Sequence, residues 1–234
     1  MLYLISLGMS KEDINLGAIE SVKKCDEVYL EGYTSLGISL VELNDIFNKR
    51  IDIVERDFVE NFEVNKAKKR NIAILFYGDV FSATTHISLY LDAIKNNIDV
   101  KVVHNVSILT LVSNIGLSLY NFGKVISIPF QKNVNLIDGL NDNLKLRLHT
   151  LFLLDLNPKE DKFLSINEAL KRLKEQGMKN QLVVGIERLG YGDQKIKAGN
   201  SDDLIKFNFN KFPQCLIVPG KMHFLEEEVL GIYK

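Results

Sequence analysis

The chain contains few of the residues that build disulfide-bonded or metal-binding proteins. Its 234 residues include two cysteines, Cys25 and Cys215, and neither belongs to a CxxC pair, so a disulfide framework or a zinc site has no support. No two of the four histidines show the HxxH or HxxxH spacing of metal ligands: His86, His104, His149 and His223. We therefore expect no metal.

An excess of charge of one sign is also missing. Lysine and arginine number 29 against 30 aspartates and glutamates, and the formal net charge of −1 provides no positive field for a phosphate backbone. The densest basic run, residues 66–70, ends a predicted helix, where cations complement the helix dipole and remain solvated. We expect no nucleic-acid partner.

Long apolar runs are absent as well. No stretch reaches the roughly 18 residues that a membrane span requires. Met1 leads directly into the strand-like LYLISL without the basic region of a signal peptide. We expect a cytoplasmic protein with no membrane association, and the 46% of hydrophobic residues suffices for a large core.

Strand and helix signals alternate through the first half, which is the rhythm of βαβ units and a mostly parallel sheet. Strands are predicted over residues 2–7, 27–33, 51–55, 71–76 and 100–103, with helices from about residue 15, near 39–48 and after residue 86. Ser107 is the expected N-cap of a further helix, whose nearly unbroken apolarity predicts burial on all sides.

A second α/β domain is predicted from residue 120, because YNFG interrupts the apolar segment before it. Strands are expected over residues 125–128, 150–156, 182–186, 195–198 and 215–218, and their mixed character favours antiparallel pairing. Ser165 and Glu168 predict a capping box at the start of a helix. The domains are thus residues 1–119 and 120–234.

The most informative segment is GDVFSATTH, residues 78–86, between a buried strand and a helix. Ile87, Tyr90, Leu91 and Ile94 have the spacing of an apolar stripe packed on the sheet. Open α/β sheets bind ligands at the carboxyl ends of their strands, so this loop predicts a small-molecule site. Asp79 would either serve that ligand or cap the following helix.

Familiar nucleotide and hydrolase motifs are missing. Ser6-Leu7-Gly8-Met9 replaces the GxGxxG of dinucleotide-binding proteins, Gly123-Lys124 lacks the rest of a P-loop, and GxSxG does not occur. Nicotinamide chemistry and nucleotide hydrolysis are therefore disfavoured.

Six blocks in order resemble the archaeal diphthine synthases: YLISLGM, YLEGYTS, GDVFSATTH, HNVSI, YNFGK and CLIVPGKMHFLEEE. That family belongs to the class III, tetrapyrrole-methylase-like methyltransferases. The resemblance implies two α/β domains, the first with a mostly parallel and the second with a mixed sheet, and S-adenosylmethionine in the cleft between them. It also implies a homodimer that transfers three methyl groups to the amino group of a 3-amino-3-carboxypropyl histidine on elongation factor 2, which yields diphthine.

The same resemblance implies which residues contact the cofactor. They are Met9, Asp79, Ser82, Ser107 and Ile108 in the first domain and Leu154, Leu189 and Gln214 in the second. Lys221 and His223, in PGKMH, are candidates to face the acceptor, because a cation could orient its carboxylate. Alternatively, PG is a turn and Lys221 a surface charge.

The chemistry needs alignment more than a strong acid or base, because a neutral amine that attacks a sulfonium methyl creates no net charge. No catalytic residue is assigned from the sequence. Asp79 could accept a hydrogen bond from the methionyl ammonium or orient the attacking amine, and both roles stay open.

Two other functions remain. The first is a corrinoid or tetrapyrrole methyltransferase of the same superfamily, against which YLEGYTS and PGKMHFLEEE argue. The second is a non-catalytic cofactor-binding protein that docks on elongation factor 2. Whether a methyl ester is also formed is not decided by the residues.

Overall fold

The computed structural model describes residues Met1–Lys234, and the chain divides into two compact units, Met1–Leu109 and Thr110–Lys234. The sequence placed the boundary at residues 119–120, after the apolar segment. The structure instead counts residues 110–119 with the second unit.

The first unit alternates strands and helices as predicted. Its elements are β1 Leu2–Ser6, α1 Leu16–Lys23, β2 Glu27–Glu31, α2 Leu40–Phe47, β3 Asp52–Val54, α3 Arg56–Glu60, β4 Ile72–Phe76, α4 Ile87–Lys95, β5 Val100–Val103 and the start of α5 Ile108–Leu111. The first two helices begin at side-chain caps: Asn15 accepts from the backbone of Ala18, and Ser39 forms a capping box with Glu42.

The five strands form one parallel sheet in the order β3-β2-β4-β1-β5. The central strands β1 and β4 are buried at every position, which explains their unbroken apolarity. The chain leaves β1 toward β2, beyond β4, and leaves β4 toward β5, beyond β1. These two neighbouring strands therefore meet at a topological switch point, where open sheets form a ligand crevice.

Of the apolar stripe predicted for α4, only Tyr90 packs against the core, where it is partly buried. Ile87, Leu91 and Ile94 are each about half exposed, whereas Leu89 and Ala93 are the buried positions of the helix. Leu89 and Ala93 have helical spacing too. Three of the four residues of the predicted stripe therefore face away from the core.

The apolar segment after Ser107 is not the single buried helix that we predicted. It forms the four-residue α5, then a 3-10 turn over Val112–Ile115, and ends at Gly116 in the left-handed conformation. No residue of α5 is buried.

The second unit holds the predicted strands and three longer helices. Its further elements are β6 Ile126–Ile128, α6 Ile137–Lys145, β7 Thr150–Leu154, β8 Leu156–Asn157, β9 Lys162–Phe163, α7 Ile166–Glu175, β10 Leu182–Glu187, β11 Lys195–Asn200, α8 Ser201–Leu204, β12 Gln214–Val218 and α9 Phe224–Gly231. Strands β8 and β9 pair with each other outside the main sheet.

The main sheet of this unit has the order β11-β10-β12-β7-β6. The pairs β10 with β11, β10 with β12 and β12 with β7 are antiparallel, as expected, and β6 pairs with β7 in parallel. Ser165 is the N-cap of α7, and its side chain accepts from the backbone of Glu168, but the Glu168 carboxylate pairs with Arg172 and does not complete the predicted capping box. Its predicted core face, Ile166, Leu170 and Leu173, is fully buried.

Packing on α9 explains why residues 110–119 belong to the second unit. A Cβ atom at Gly116 would lie 2.3 Å from Val229 Cγ1, so the turn lies directly against that helix. The backbone nitrogen of Ser118 donates to Glu226 of the same helix at 2.7 Å. The apolar sequence of residues 110–119 predicted that they are buried, but it did not indicate which unit covers them.

No helix in the structure combines the length and apolarity that crossing a bilayer would take.

Candidate functional site

Three loops follow β1, β4 and β5 at the carboxyl edge of the parallel sheet, and hydrogen bonds join the first two. Gly8 and Gly78 exchange backbone hydrogen bonds of 3.1 and 2.8 Å. Both residues have positive φ angles, +76° and +71°, which a side chain would disfavour. The predicted ligand loop is therefore tied to the loop after β1 through two glycines.

Gly78 lies beside two of the predicted cofactor contacts. A Cβ atom built on it would lie 3.8 Å from Ser107 Cβ and 3.9 Å from Met9 Sδ. Ser107 is buried, and its hydroxyl accepts from the backbone nitrogen of Leu109 at 3.2 Å, the N-cap contact that we expected. Met9, Gly78, Ser107 and the adjacent Ile108 thus gather at one point of the sheet edge.

Asp79 does not cap α4, which begins at Ile87. Its Oδ1 accepts from the backbone nitrogen of Phe81 at 3.1 Å and from the Ser82 hydroxyl at 2.9 Å. Its Oδ2 lies 3.4 Å from Ser6 Oγ and 3.5 Å from His104 Nδ1. The carboxylate therefore organises its own loop, and Ser82 contributes to that structure.

Three residues of this edge were missed as site residues by sequence reasoning. Asp13 accepts from the backbone nitrogens of Met9 and Ser10 at 2.9 and 3.0 Å, which shapes the loop after β1. Asn105 donates to the Asp13 carbonyl at 2.8 Å. His104 faces Asp79, and its position directly after β5 was the signal that could have identified it.

A buried network joins two of the blocks that carry the family resemblance. Glu31, at the end of β2, is fully buried and accepts from the backbone nitrogens of Tyr33 and Thr34, both at 2.7 Å. The Tyr33 hydroxyl lies 3.4 Å from Nε2 of His86, and Nδ1 of His86 lies 3.3 Å from the Val80 carbonyl. Because a carbonyl only accepts, Nδ1 carries the proton and Nε2 accepts from Tyr33.

Burial decides the charge state of this pair. It lowers the pKa of His86, an effect that the nearby Glu31 carboxylate only partly opposes, and it raises the pKa of Tyr33 to about 12. The imidazole is thus a neutral connector that fixes the GDVFSATTH loop to the loop after β2. Thr84 supports the same turn, since its hydroxyl donates to the Val80 carbonyl at 2.6 Å.

The predicted contacts of the second unit also converge, at one edge of the mixed sheet. Leu154 ends β7, Gln214 begins β12, and Leu189 follows β10, the neighbour of β12. All three side chains are buried. The register supports this grouping, because Glu187 is opposite Gln214 and Cys215, the next residue of β12, is opposite Leu153 of β7.

Gln214 has a structural task that the sequence did not reveal. Its Oε1 accepts from the backbone nitrogen of Ile166 at 2.9 Å, at the start of α7, and its Nε2 donates to the Lys211 carbonyl at 3.0 Å. Its polar atoms therefore serve the fold of this unit.

Charged pairs shape the loop that carries Leu189. Arg188 has a φ angle of +50°, donates to Asp193 at 2.7 Å and lies over the ring of Tyr191. Lys211 donates to the same carboxylate, and these two cations lower the pKa of Asp193 to about 2. The loop is held from both sides of Leu189.

Lys221 and His223, the candidates to face an acceptor, lie in the segment between β12 and α9. Lys221 is exposed and makes no ion pair, while its backbone nitrogen donates to the Arg147 carbonyl at 3.1 Å. His223 is the N-cap of α9, where its Nδ1 lies 3.4 Å from the backbone nitrogen of Leu225. The cap role accounts for His223; the structure assigns none to the Lys221 side chain.

The blocks YNFGK and PGKMHFLEEE meet at a buried histidine between them. His149 is fully buried, and its backbone exchanges hydrogen bonds of 2.8 Å with Gly123 and Asn121. Its Nδ1 accepts from the backbone of Gly220 at 3.0 Å, and its Nε2 lies 3.4 Å from Glu226. The two blocks are therefore parts of one structural network.

No group of three or more histidine, cysteine, aspartate or glutamate side chains in the structure is arranged to hold a metal ion.

Comparison with known families gives one match that covers most of the chain. Residues 1–205 match the model of the tetrapyrrole (corrin/porphyrin) methylases. The match includes all the loops of the first unit described above and most of the second unit.

Individual relatives are similar over nearly their whole length. The chain is 38% identical to the diphthine synthase of Methanosarcina barkeri, over 98% of this chain and 94% of that protein. It is 37% identical to the diphthine methyl ester synthase of Candida glabrata, over 98% and 89%. A crystal structure of diphthine synthase superimposes with a TM-score of 0.93 at 31% identity, over 100% and 96% of the two chains.

Proposed function

Because the chain belongs to the tetrapyrrole methylase family and, within it, to the diphthine synthases, a family of S-adenosylmethionine-dependent methyltransferases, we propose that it methylates elongation factor 2 in diphthamide biosynthesis. The acceptor is the amino group of the 3-amino-3-carboxypropyl histidine, and three transfers give diphthine. The observation that carries this proposal is the similarity to diphthine synthases from end to end. We also propose that the protein is cytoplasmic and that it forms a homodimer. Size-exclusion chromatography with light scattering would test the dimer.

The residues at the sheet edge of the first unit fit a small polar cofactor. Gly78 lies between Met9 and Ser107, and a Cβ atom built on it would be within 4 Å of both side chains. The carboxyl edge of a parallel sheet is where such folds accept nucleoside ligands. We assign Met9, Ser107 and Ile108, with the Asp79 and Ser82 loop, to S-adenosylmethionine.

In the second unit, we assign Leu154, Leu189 and Gln214 to the same ligand. Leu154 and Leu189 offer apolar surface, and the side chain of Gln214 is held by Ile166 and Lys211, so Gln214 would act through its backbone. Lys221 is assigned to the carboxylate of the acceptor.

When bound, S-adenosylmethionine supplies an electrophilic methyl group on a sulfonium. The chain's own residues bind and orient the two reactants, which is the larger part of catalysis for such a transfer. Attack by a neutral amine moves positive charge without creating it, so no strong acid is required.

Methyl transfer to elongation factor 2 that carries the modified histidine tests the proposal directly. Incubation with radiolabelled S-adenosylmethionine should label the factor, and the intact mass of the product counts the methyl groups. A fourth methyl group would indicate the ester that the name of the Candida glabrata relative describes. Absence of label at saturating donor would refute the proposal.

Two glycine variants test the site in the first unit. Gly78→Ala should weaken the affinity for S-adenosylmethionine in calorimetry, because a methyl group enters the space beside Met9 and Ser107. Gly177→Ala is the control: its φ angle of +98° is equally unfavourable for alanine, and nothing lies within 4 Å of the new atom. Equal affinities of the two variants would place the cofactor elsewhere.

Lys221→Ala tests the proposed acceptor contact. The variant should raise KM for modified elongation factor 2 and leave the affinity for S-adenosylmethionine unchanged. An unchanged KM would identify Lys221 as a surface charge.

A corrin or porphyrin acceptor is the second candidate, favoured only by the description of the matched family model. A flat macrocycle shifts its visible absorption when it binds, so a titration with a corrinoid separates the two.

A further inference from the structure

His104 and Asp79 form a histidine–carboxylate pair at the edge of the sheet where the cofactor is assigned. His104 directly follows β5, and its Nδ1 lies 3.5 Å from Oδ2 of Asp79. The side chain of Asp79 is 13% exposed, whereas that of His104 is 73% exposed. One partner is therefore anchored in the protein and the other reaches toward the surface.

Asp79 is anchored on all sides by donors of the chain. Phe81, Ser82 and Ser6 donate hydrogen bonds to its two oxygens at 2.9 to 3.4 Å, and Nδ1 of His104 lies 3.5 Å from Oδ2. Two carboxylate oxygens offer about four acceptor positions, and these four neighbours surround them. A methionyl ammonium would have to displace one of them, which favours Asp79 as the residue that orients His104.

The pairing also determines which atom of the imidazole is available. Nδ1 lies 3.5 Å from a carboxylate oxygen, which can only accept, so the tautomer that suits this contact has its proton on Nδ1 and its lone pair on Nε2. With 73% of the side chain exposed, that lone pair can meet an incoming amine.

The other histidines are not suited to this task. His86 and His149 are buried with both ring nitrogens engaged, and His223 caps α9. His104 is the exposed histidine whose ring is oriented by a carboxylate of the cofactor loop.

On the basis of the proposed function, we propose that His104 is the general base that removes protons from the acceptor amine, and that Asp79 positions it.

The proton count explains why three transfers need such a base. The acceptor amine has an α-amino-like pKa of about 8 and begins largely as an ammonium. One proton leaves to His104 Nε2; the nitrogen lone pair then forms the N–CH3 bond while the S–CH3 bond breaks and its electron pair stays on sulfur. The methylated ammonium that results must lose a proton before each of the next two attacks. Three protons therefore pass through His104 to water, and the final trimethylammonium has none to lose.

Few charged groups face His104, which simplifies the pH dependence. Asp79 is the only charged side chain within ion-pair distance of its ring. From the start of α1, the neutral amide of Asn15 donates to the His104 carbonyl at 3.0 Å.

His104→Asn is the decisive variant, because asparagine can place its amide nitrogen near the Nδ1 position and keep the contact with Asp79 while it removes the base. At saturating S-adenosylmethionine and neutral pH, single-turnover methyl transfer should fall about 100-fold. Donor affinity and the melting temperature should stay those of the unmodified chain. The deficit should shrink toward about pH 9, where water deprotonates the amine without help, and products with one or two methyl groups should accumulate at neutral pH.

Asp79→Asn provides the second arm. At saturating donor it should slow transfer about 10-fold, and in the double variant it should add little to His104→Asn, because both changes act on one group.

The outcomes separate this inference from the proposed function. If the unmodified chain transfers methyl groups and His104→Asn does so equally fast at neutral pH, the base is not His104 and the function stands. A deficit of constant size at every pH also refutes the base. If the unmodified chain transfers none, the function and the inference both fail.

Discussion

The buried imidazole of His149 lies 3.4 Å from the carboxylate of Glu226, and each side chain secures a different segment of the second unit. Glu226 accepts from the backbone nitrogens of Ser118 and His223, both at 2.7 Å. His149 accepts from Gly220 through Nδ1, so its Nε2 carries the proton and faces Glu226. The pair joins the segment at Ser118, the start of α9 and the turn before α9.

This pair should make the chain sensitive to acid. Burial alone would raise the pKa of Glu226, but the hydrogen bonds from Ser118, His223 and His149 lower it to about 2, from 4.5. A lowered carboxyl pKa contributes stability above pH 4.5, which is lost as the pH falls toward 2, by about 3 kcal/mol in total. Burial also lowers the pKa of His149, so stability already declines below pH 6.5, where the unfolded histidine takes a proton.

Glu226→Gln tests this acid sensitivity. We expect a loss of about 2 kcal/mol at neutral pH and a flatter dependence of the free energy of unfolding between pH 5 and 3, from urea denaturation at each pH. Glu228→Gln, on the exposed side of the same helix, should change neither. Identical pH profiles for Glu226→Gln and the unmodified chain would contradict the role of this carboxylate.

Gly8→Ala should destabilise the chain more than Gly177→Ala. Both residues have a positive φ angle, +76° and +98°, so both variants carry the strain of alanine in that region, about 1 to 2 kcal/mol. At Gly8 the new atom would also lie 2.3 Å from Asp13 Cβ, whereas at Gly177 it meets nothing within 4 Å. Urea denaturation measures the free energy of unfolding of both variants. Equal losses would show that the loop after β1 moves to accommodate the new methyl group without further cost.

Gln214→Leu should cost about 1 to 3 kcal/mol, because the backbone nitrogen of Ile166 at the start of α7 loses its acceptor in a buried environment. Gln131→Leu, at an exposed position, is the control and should stay within about 0.5 kcal/mol of the unmodified chain. If Gln214→Leu changed the free energy of unfolding as little as the control does, water would have to reach the start of α7 and replace the lost acceptor.

The two faces of α4 should respond differently to substitution. Leu89→Ala removes a buried side chain and should cost about 2 to 4 kcal/mol. Leu91→Ala, in the exposed stripe, should stay within about 1 kcal/mol, from thermal or urea unfolding at low protein concentration. If Leu91→Ala lowered the free energy of unfolding more than Leu89→Ala, the stripe predicted from the sequence would be the buried face.

Much of the fold could be predicted because the signals were local. Unbroken apolar runs such as residues 72–76 identified the central strands, and the N-cap Ser165 marked where α7 begins. Such signals depend on hydrogen bonds and burial within a few residues of the chain, so they can be read without tertiary structure.

The predicted site residues of the first unit lie together because the motifs that carry them follow neighbouring strands. The sequence named Met9, Asp79 and Ser107 from matching motifs, and all three follow strands of one parallel sheet. Sequence reasoning overlooked His104 as a functional residue, because only the strand order brings the loop after β5 beside the loop after β4.

By itself, then, the sequence determined the order of strands and helices, the two α/β halves and the family. Tertiary structure decided which apolar face of α4 is covered, where residues 110–119 pack, and which polar side chains meet. Hydrophobic patterning states how much surface must be buried, but two faces of one helix can satisfy it equally. Contacts such as His104 with Asp79 or His149 with Glu226 join residues far apart in the chain, and no local property of either partner specifies the other.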